Sequence, residues 1–171
     1  MKLKSILIII LFLLSTYTFA DFNAKVVKIV DGDTIHAKDY MSNKTYKVRL
    51  LGIDAPEKNQ SFGNESTLFL KKRITGKFVT IISKSNKNKP YTLDFYKRIL
   101  GKVVLYDIDI NLEMVQKGMA WHYKKYKKSQ PKEDRHSYNK AEKEARKKNI
   151  GLWSNENPLA PWKWRKSNRR K

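Results

Sequence analysis

Short stretches of alternating apolar and polar residues dominate the first half of this chain, and they predict strands before any helix. Val26, Val27, Ile29 and Val30 make a β-branched run that reads as a first strand from Ala24 to Val30. Asp31-Gly32-Asp33 closes it, and the glycine between two carboxylates is a turn signal. Strand character resumes from Thr34 to about Asp39, turns through Met41-Ser42-Asn43, and returns from Lys44 to Leu51. In the returning arm Tyr46, Val48 and Leu50 alternate with Lys47 and Arg49. Gly52 and Pro56 then interrupt the extended pattern. If the hairpin folds near Ser42, Asp33 comes opposite Leu51 and Asp54 sits just beyond the pair.

The second half mixes periods. From Asn64 to about Ile74, Leu68, Phe69 and Ile74 recur at roughly helical spacing, with Asn64 as a cap and Gly76 as a stop. Phe78 to Ile82 is again strand-like, and Lys84 to Pro90 is a basic polar loop. Gly101 to Tyr106 reads as a strand. Ile110 to Lys117 reads as a short helix with Leu112 and Val115 inward and Gly118 as its stop. A last helix spans about Asp134 to Lys148, with a narrow stripe of Tyr138, Ala141 and Ala145 and i,i+4 pairs Glu142–Arg146 and Glu144–Lys148. Ile150, Leu152 and Trp153 anchor its exit, and Pro161-Trp162-Lys163-Trp164-Arg165 lies against the body as a tail. Strands, helix, strands and then helices suit an α+β fold: a five-stranded OB-type β-barrel with about three packed α-helices.

Charge and address narrow the function. The 171 residues carry a formal net charge of +21, of which only Lys2 and Lys4 precede residue 21. Such a balance calls for an anionic partner. Trp121, Tyr123 and Tyr126 interleave with lysines between residues 121 and 128, placing stacking faces beside phosphate-seeking cations. This favours nucleic acid, although lipid or wall polymer also suits the charge, and the aromatics equally suit a core-capping loop. Residues 1–20 have the charged, apolar and small-residue zones of a secretory signal, and the apolar run from Ile6 to Leu14 is too short to span a bilayer. The expected organisation is a signal peptide over 1–20, one domain over 21–165 and a basic tail over 166–171. The protein is then secreted or periplasmic, a monomer with no stable membrane span after cleavage. There is no cysteine, which excludes disulfides and thiolate metal sites.

Chemistry concentrates at the strand break. Arg49, Asp54 and Glu57 lie within nine residues: a planar cation for phosphate oxygens, a hard oxygen ligand and a possible base. With Asp33 brought close by the hairpin, two carboxylates meet in an oxygen-rich setting of the kind calcium favours. Taken singly, Asp31 and Asp33 also suit a plain turn, and Asp94 and Arg98 a surface ion pair. His36, His122 and His136 are dispersed, without zinc-like spacing, and read as packing or surface residues.

Asp31-Gly32-Asp33-Thr34, Arg49-Leu50-Leu51-Gly52-Ile53-Asp54-Ala55-Pro56-Glu57 and Asp94-x-Tyr96-x-Arg98-x-Leu100 together resemble the staphylococcal nuclease (thermonuclease) family. Asn111-Leu112-x-x-Val115-x-x-Gly118-x-Ala120-Trp121, Gly151-Leu152-Trp153 and the Pro161–Arg165 segment resemble its exported bacterial members. The resemblance implies a calcium-dependent endonuclease that hydrolyses DNA and RNA with little sequence specificity, the 5′ oxygen leaving to give 3′-phosphate ends. It implies that Asp33 and Asp54 bind Ca2+ with the backbone carbonyl of Ala55, where the best-known member has threonine. Glu57 matches the glutamate proposed to activate water, and Arg49 and Arg98 the phosphate-gripping arginines. Tyr96, Tyr123 and Tyr126 fall near the nucleotide-contacting tyrosines. Lys97 stands where many members have glycine. The competing expectations are a non-catalytic nucleic-acid-binding barrel and a cationic surface protein.

Overall fold

The computed structural model describes residues 19–85 and 90–168. Nearly all of the expected signal peptide, the middle of the basic loop and the last three residues lie outside them.

In chain order the elements are β1 (Phe19–Asp31), β2 (Thr34–Asp39), β3 (Thr45–Leu50), β4 (Ile53–Asp54), α1 (Gly63–Ile74), β5 (Phe78–Lys84), β6 (Ile99–Leu105), β7 (Ile108–Asp109), α2 (Ile110–Gln116), β8 (Trp121–His122), α3 (Lys132–Lys147) and α4 (Pro161–Asn168). Short 3-10 turns cover Lys124–Ser129 and Gly151–Ser154. β1 is antiparallel to both β2 and β5, β2 to β3 and β5 to β6, and a parallel pairing of β3 with β6 closes the ring. This is the five-stranded barrel expected from the strand pattern. β1 serves two neighbours because bulges between Val26 and Lys28 and between Ile29 and Asp31 bend it. The alternation seen in sequence is the barrel's inside and outside: Val26, Ile35, Val48, Ile81 and Val103 are fully buried in its core, capped by Leu70 of α1.

Several boundaries differ from expectation, each for a local reason. α1 begins at Gly63, after Phe62 at φ 66°, with no side-chain cap; Asn64 is already inside the helix. Its inward face is Ser66, Leu70 and Ile74, while Leu68 points to solvent. α3 starts at Lys132, because Pro131 fixes the entry. Glu142 pairs with Arg146 as expected, whereas Glu144 pairs with Lys140. The segment expected as a tail is a fourth helix: α4 opens on Pro161, whose missing N–H costs nothing at a first turn, and continues to Asn168 inside the predicted basic tail. No helix among the described residues is long and apolar enough to cross a membrane.

Candidate active site

The site begins with the β2–β3 hairpin. Its turn, residues 40–43, is capped by the Asp39 carboxylate, which accepts from the Met41 N–H and the Ser42 hydroxyl, and it uses Asn43 at φ 59°. The turn is centred between Met41 and Ser42, one half-step earlier than the sequence suggested. Thr34 therefore pairs with Arg49, and the Leu50 N–H donates to the Asp33 carbonyl at 2.8 Å, so Asp33 lies opposite Leu50 and not Leu51. The side chain of Arg49 consequently rises next to Asp33.

Asp33 and Asp54 are the two buried carboxylates expected at this rim. Arg49 Nη2 lies 3.0 Å from Asp33 Oδ2 and 2.9 Å from Asp54 Oδ1, so one nitrogen ties them together. Asp33 also accepts from the Ala55 N–H at 2.8 Å and from the Thr34 hydroxyl at 3.0 Å. Ala55 thus holds Asp33 through its amide. The Asp33 N–H donates to Asp31, whose carboxyl is pushed up to about 6 by burial and by the charge of Asp33. Asp31-Gly32-Asp33 is therefore both a turn and a wall of the site. Gly32 is needed by space: a Cβ there would lie 2.7 Å from the Ala55 methyl and closer still to the Ser66 hydroxyl of α1.

Asp54 is carried by β4, which pairs with β8 so that Asp54 faces Trp121. Burial raises its carboxyl above the usual range, and hydrogen bonds from Arg165 and the charge of Arg49 oppose the rise. Glu57, three residues on, is the exposed carboxylate of the set, with a side chain 41% accessible. Its N–H donates to Gln60 Oε1.

Arg98 enters from the turn before β6. Asp94 Oδ1 accepts from the N–H groups of Tyr96 and Arg98, and Asp94 Oδ2 accepts from Arg98 Nε at 2.7 Å. The surface-pair alternative is real, yet Arg98 Nη1 also donates to the Thr34 hydroxyl at 3.3 Å, joining it to Asp33. Tyr96 is exposed beside the Arg98 guanidinium, 5.4 Å from ring centre to Cζ. Lys97 adopts φ 59°, a left-handed conformation that suits glycine.

The far wall comes from the C-terminal third. The Tyr123 N–H donates to the Gly52 carbonyl at 2.8 Å, and its half-buried ring lies 5.5 Å from the exposed Tyr126 and 5.4 Å from Trp162 of α4. Trp121, read in sequence as part of the basic aromatic cluster, is buried against Trp153 and Trp162. His122 is buried and bonded to Gln130, a packing role. The residue that sequence reading missed is Arg165. Its Nη1 lies 2.7 Å from Glu57 Oε1, and its Nη2 2.7 Å from Asp54 Oδ2. Trp162 and Arg165 at i,i+3 on one helix face were a visible signal, but only tertiary packing shows what they face.

The donor set is entirely oxygen: two buried carboxylates joined through one guanidinium nitrogen. Among the described residues no three or more His, Asp or Glu side chains converge on a metal position. Such a set fits a hard cation that keeps waters or takes substrate oxygens in its remaining positions, and does not fit a zinc-type cage.

A family model described as "Staphylococcal nuclease homologue" matches residues 47–155, which include Arg49, Asp54, Glu57 and Arg98. An Escherichia coli protein named "Uncharacterized endonuclease" is 39% identical over 147 residues, spanning 85% of this chain and 86% of its own length. A Haemophilus influenzae protein of the same name is 39% identical over 160 residues, spanning 94% and 82%. A Shigella flexneri protein named "Micrococcal nuclease" is 36% identical over 176 residues, spanning 98% and 94%. With the barrel, the carboxylate pair and these matches in agreement, the chain belongs to the staphylococcal nuclease family.

Proposed function

We propose that this nuclease is an exported, monomeric, calcium-dependent endonuclease that hydrolyses DNA and RNA with little sequence preference, the 5′ oxygen leaving to give 3′-phosphate ends. The observation that carries the reading is the sharing of one Arg49 nitrogen by Asp33 and Asp54, with Glu57 beside them and Arg98 joined through Thr34. A binding module needs cations for phosphate; it has no use for two buried carboxylates at the same place, whose desolvation is costly.

In this reading Asp33, Asp54 and the Ala55 carbonyl hold the cation, which when bound withdraws charge from the phosphoryl oxygens. Arg49 and Arg98 present planar donors on two sides of the phosphodiester and stabilise charge that grows on its oxygens in the transition state. Glu57, the accessible carboxylate, orients the attacking water and accepts its proton. Tyr96, Tyr123 and Tyr126 offer ring faces to flanking bases, which fits low sequence preference because every base has a π-face.

The test is a cleavage assay on single-stranded DNA and on RNA with purified protein, in calcium and in chelator. Calcium-dependent cutting with 3′-phosphate ends supports the proposal. Binding without cutting under any divalent cation overturns it in favour of a non-catalytic barrel. N-terminal sequencing of exported protein tests removal of residues 1–20.

A further inference from the structure

Arg165 lies beyond the family-model match and forks across two carboxylates of the site. Besides the two 2.7 Å contacts, its Nη1 lies 3.2 Å from Asp54 Oδ1, so both Asp54 oxygens accept from it. The guanidinium is not at the end of a loose tail. Trp162, one turn earlier on α4, packs edge-on against Trp121 at 5.4 Å and at a tilt of 34° against Tyr123 at 5.4 Å. Gln60 Nε2 donates to the Leu159 carbonyl, tying the approach to α4 to the loop that follows Glu57. The backbone beneath Arg165 is fixed, while its side chain is 35% accessible, against 11% for Arg49.

We propose that Arg165 is a third phosphate-directed guanidinium of the cleft, held on Asp54 and Glu57 in exchange with the divalent cation. Asp54 is almost wholly buried and already accepts from Arg49. A divalent cation on Asp54 must take oxygens that Arg165 uses, and it puts like charges in contact in a poorly solvated place. Arg49 is bound to both aspartates and closed in; Arg165 is the cation with room to leave. The three guanidiniums already lie along one connected line, Arg98 to Thr34 to Asp33 to Arg49 to Asp54 to Arg165 to Glu57. A phosphodiester laid along that line meets a fork at each end, from Arg98 and from the released Arg165. Arg165 then opposes cation binding in the free protein and supports substrate binding once the cation is in place, which couples the two ligands.

This inference rests on the nuclease reading, and its test separates the two. Calcium is titrated by calorimetry into chelator-treated full chain, wild type and Arg165→Ala. Binding of a short single-stranded phosphorothioate DNA is measured with calcium present. In Arg165→Ala, calcium should bind about tenfold more tightly without DNA, and DNA about tenfold more weakly with calcium. Arg165→Lys, which keeps the charge without the fork, should restore both in part. Arg165→Gln repeats the comparison if the alanine variant melts early. Unchanged or weaker calcium binding in the neutral variants overturns the exchange, and unchanged DNA binding overturns the phosphate contact. A wild-type chain that takes no calcium and cuts nothing sinks the nuclease reading and this inference with it. Normal wild-type cleavage with indistinguishable variants sinks this inference alone.

Discussion

The two walls of the cleft are built by different physics. Asp33 stands in the turn before β2, Arg49 on β3 and Asp54 on β4, and their side chains are 10%, 11% and 2% exposed. The β2–β3 and β4–β8 pairings place Arg49 and Asp54, the Ala55 N–H holds Asp33, and one guanidinium is shared by the two carboxylates out of solvent. Tyr123, Trp162 and Arg165 stand on a 3-10 turn approach and a short helix, and Arg165 reaches Asp54 across 111 positions. That wall is held by ring contacts and ends in an accessible guanidinium. Register gives the first wall fixed charge, and aromatic packing gives the second a charge that can be exchanged.

Removing Arg49 should have the largest effect. Arg49→Ala leaves Asp33 without its guanidinium partner and Asp54 with Arg165 alone, which costs about 3 kcal/mol of stability. On the proposed mechanism it also deletes a transition-state donor, lowering kcat by roughly 10²- to 10³-fold. Urea denaturation and single-turnover cleavage check both. A loss of stability no larger than that of a C-terminal substitution would erase the distinction between fixed and exchangeable walls. The comparable change on the other wall is Trp162→Ala. Its indole is only partly buried, so the expected cost is about 2 kcal/mol, below the range for a fully buried ring. The loss should appear in fluorescence of the Trp121–Trp153–Trp162 cluster before the barrel unfolds.

Asp94→Asn probes the turn that carries Arg98, with a smaller effect: about tenfold in kcat/KM and about 1 kcal/mol in stability. Burial pushes the Asp94 carboxyl up, but hydrogen bonds from the Arg98 side chain and N–H outweigh it and leave the group below 3.8. A depressed carboxylate contributes stability above its unfolded value of 3.8, and that contribution fades as pH falls through the folded value. Wild type should therefore be the more stable protein near neutrality, and the two should converge as pH falls through the folded value, which lies below 3.8. A gap that persists in acid would assign the effect to the turn backbone instead of the ion pair.

The barrel was legible because its strands alternate and its turns carry Gly, Asn and Asp. The local half of the site was legible because Arg49, Asp54 and Glu57 lie within one strand break. The hairpin also brought Asp33 to the correct rim, with an error of one residue that came from not seeing Asp39 cap the turn. Arg98 was placed by its motif, but its bond to Thr34 was not visible. Arg165 and the role of Trp162 were hidden for a physical reason. Their segment has no periodicity long enough to mark a helix, and its partners, Trp121, Tyr123, Asp54 and Glu57, are chosen by packing between distant parts of the chain. The same limit explains why Trp121 read as a binding aromatic when it is a core one.

The smallest expected effect lies at Lys97, where the sequence departs from the family's frequent glycine. Lys97 holds φ 59° in the turn between Asp94 and Arg98, and its N–H donates to the Asp94 carbonyl at 3.0 Å. A left-handed conformation costs an L-residue about 1–2 kcal/mol, while glycine loses about 0.5–1 kcal/mol more entropy on folding. Lys97→Gly should therefore raise stability by less than about 1 kcal/mol, a rise in Tm of about 1–3 °C for a chain of this size. The donated hydrogen bond survives the change, so Asp94 and the Arg98 fork keep their places, and kcat should stay within about twofold. KM should rise slightly in low salt and not in high salt, because an exposed cation beside the proposed phosphate path is lost and its effect is screened. A fall in Tm would mean that the lysine stem, and not the turn's backbone, holds Arg98 in register. The strand-built wall, with Asp33 and Asp54 tied through Arg49, should register neither change, and calcium affinity is the measurement that would reveal it if it did.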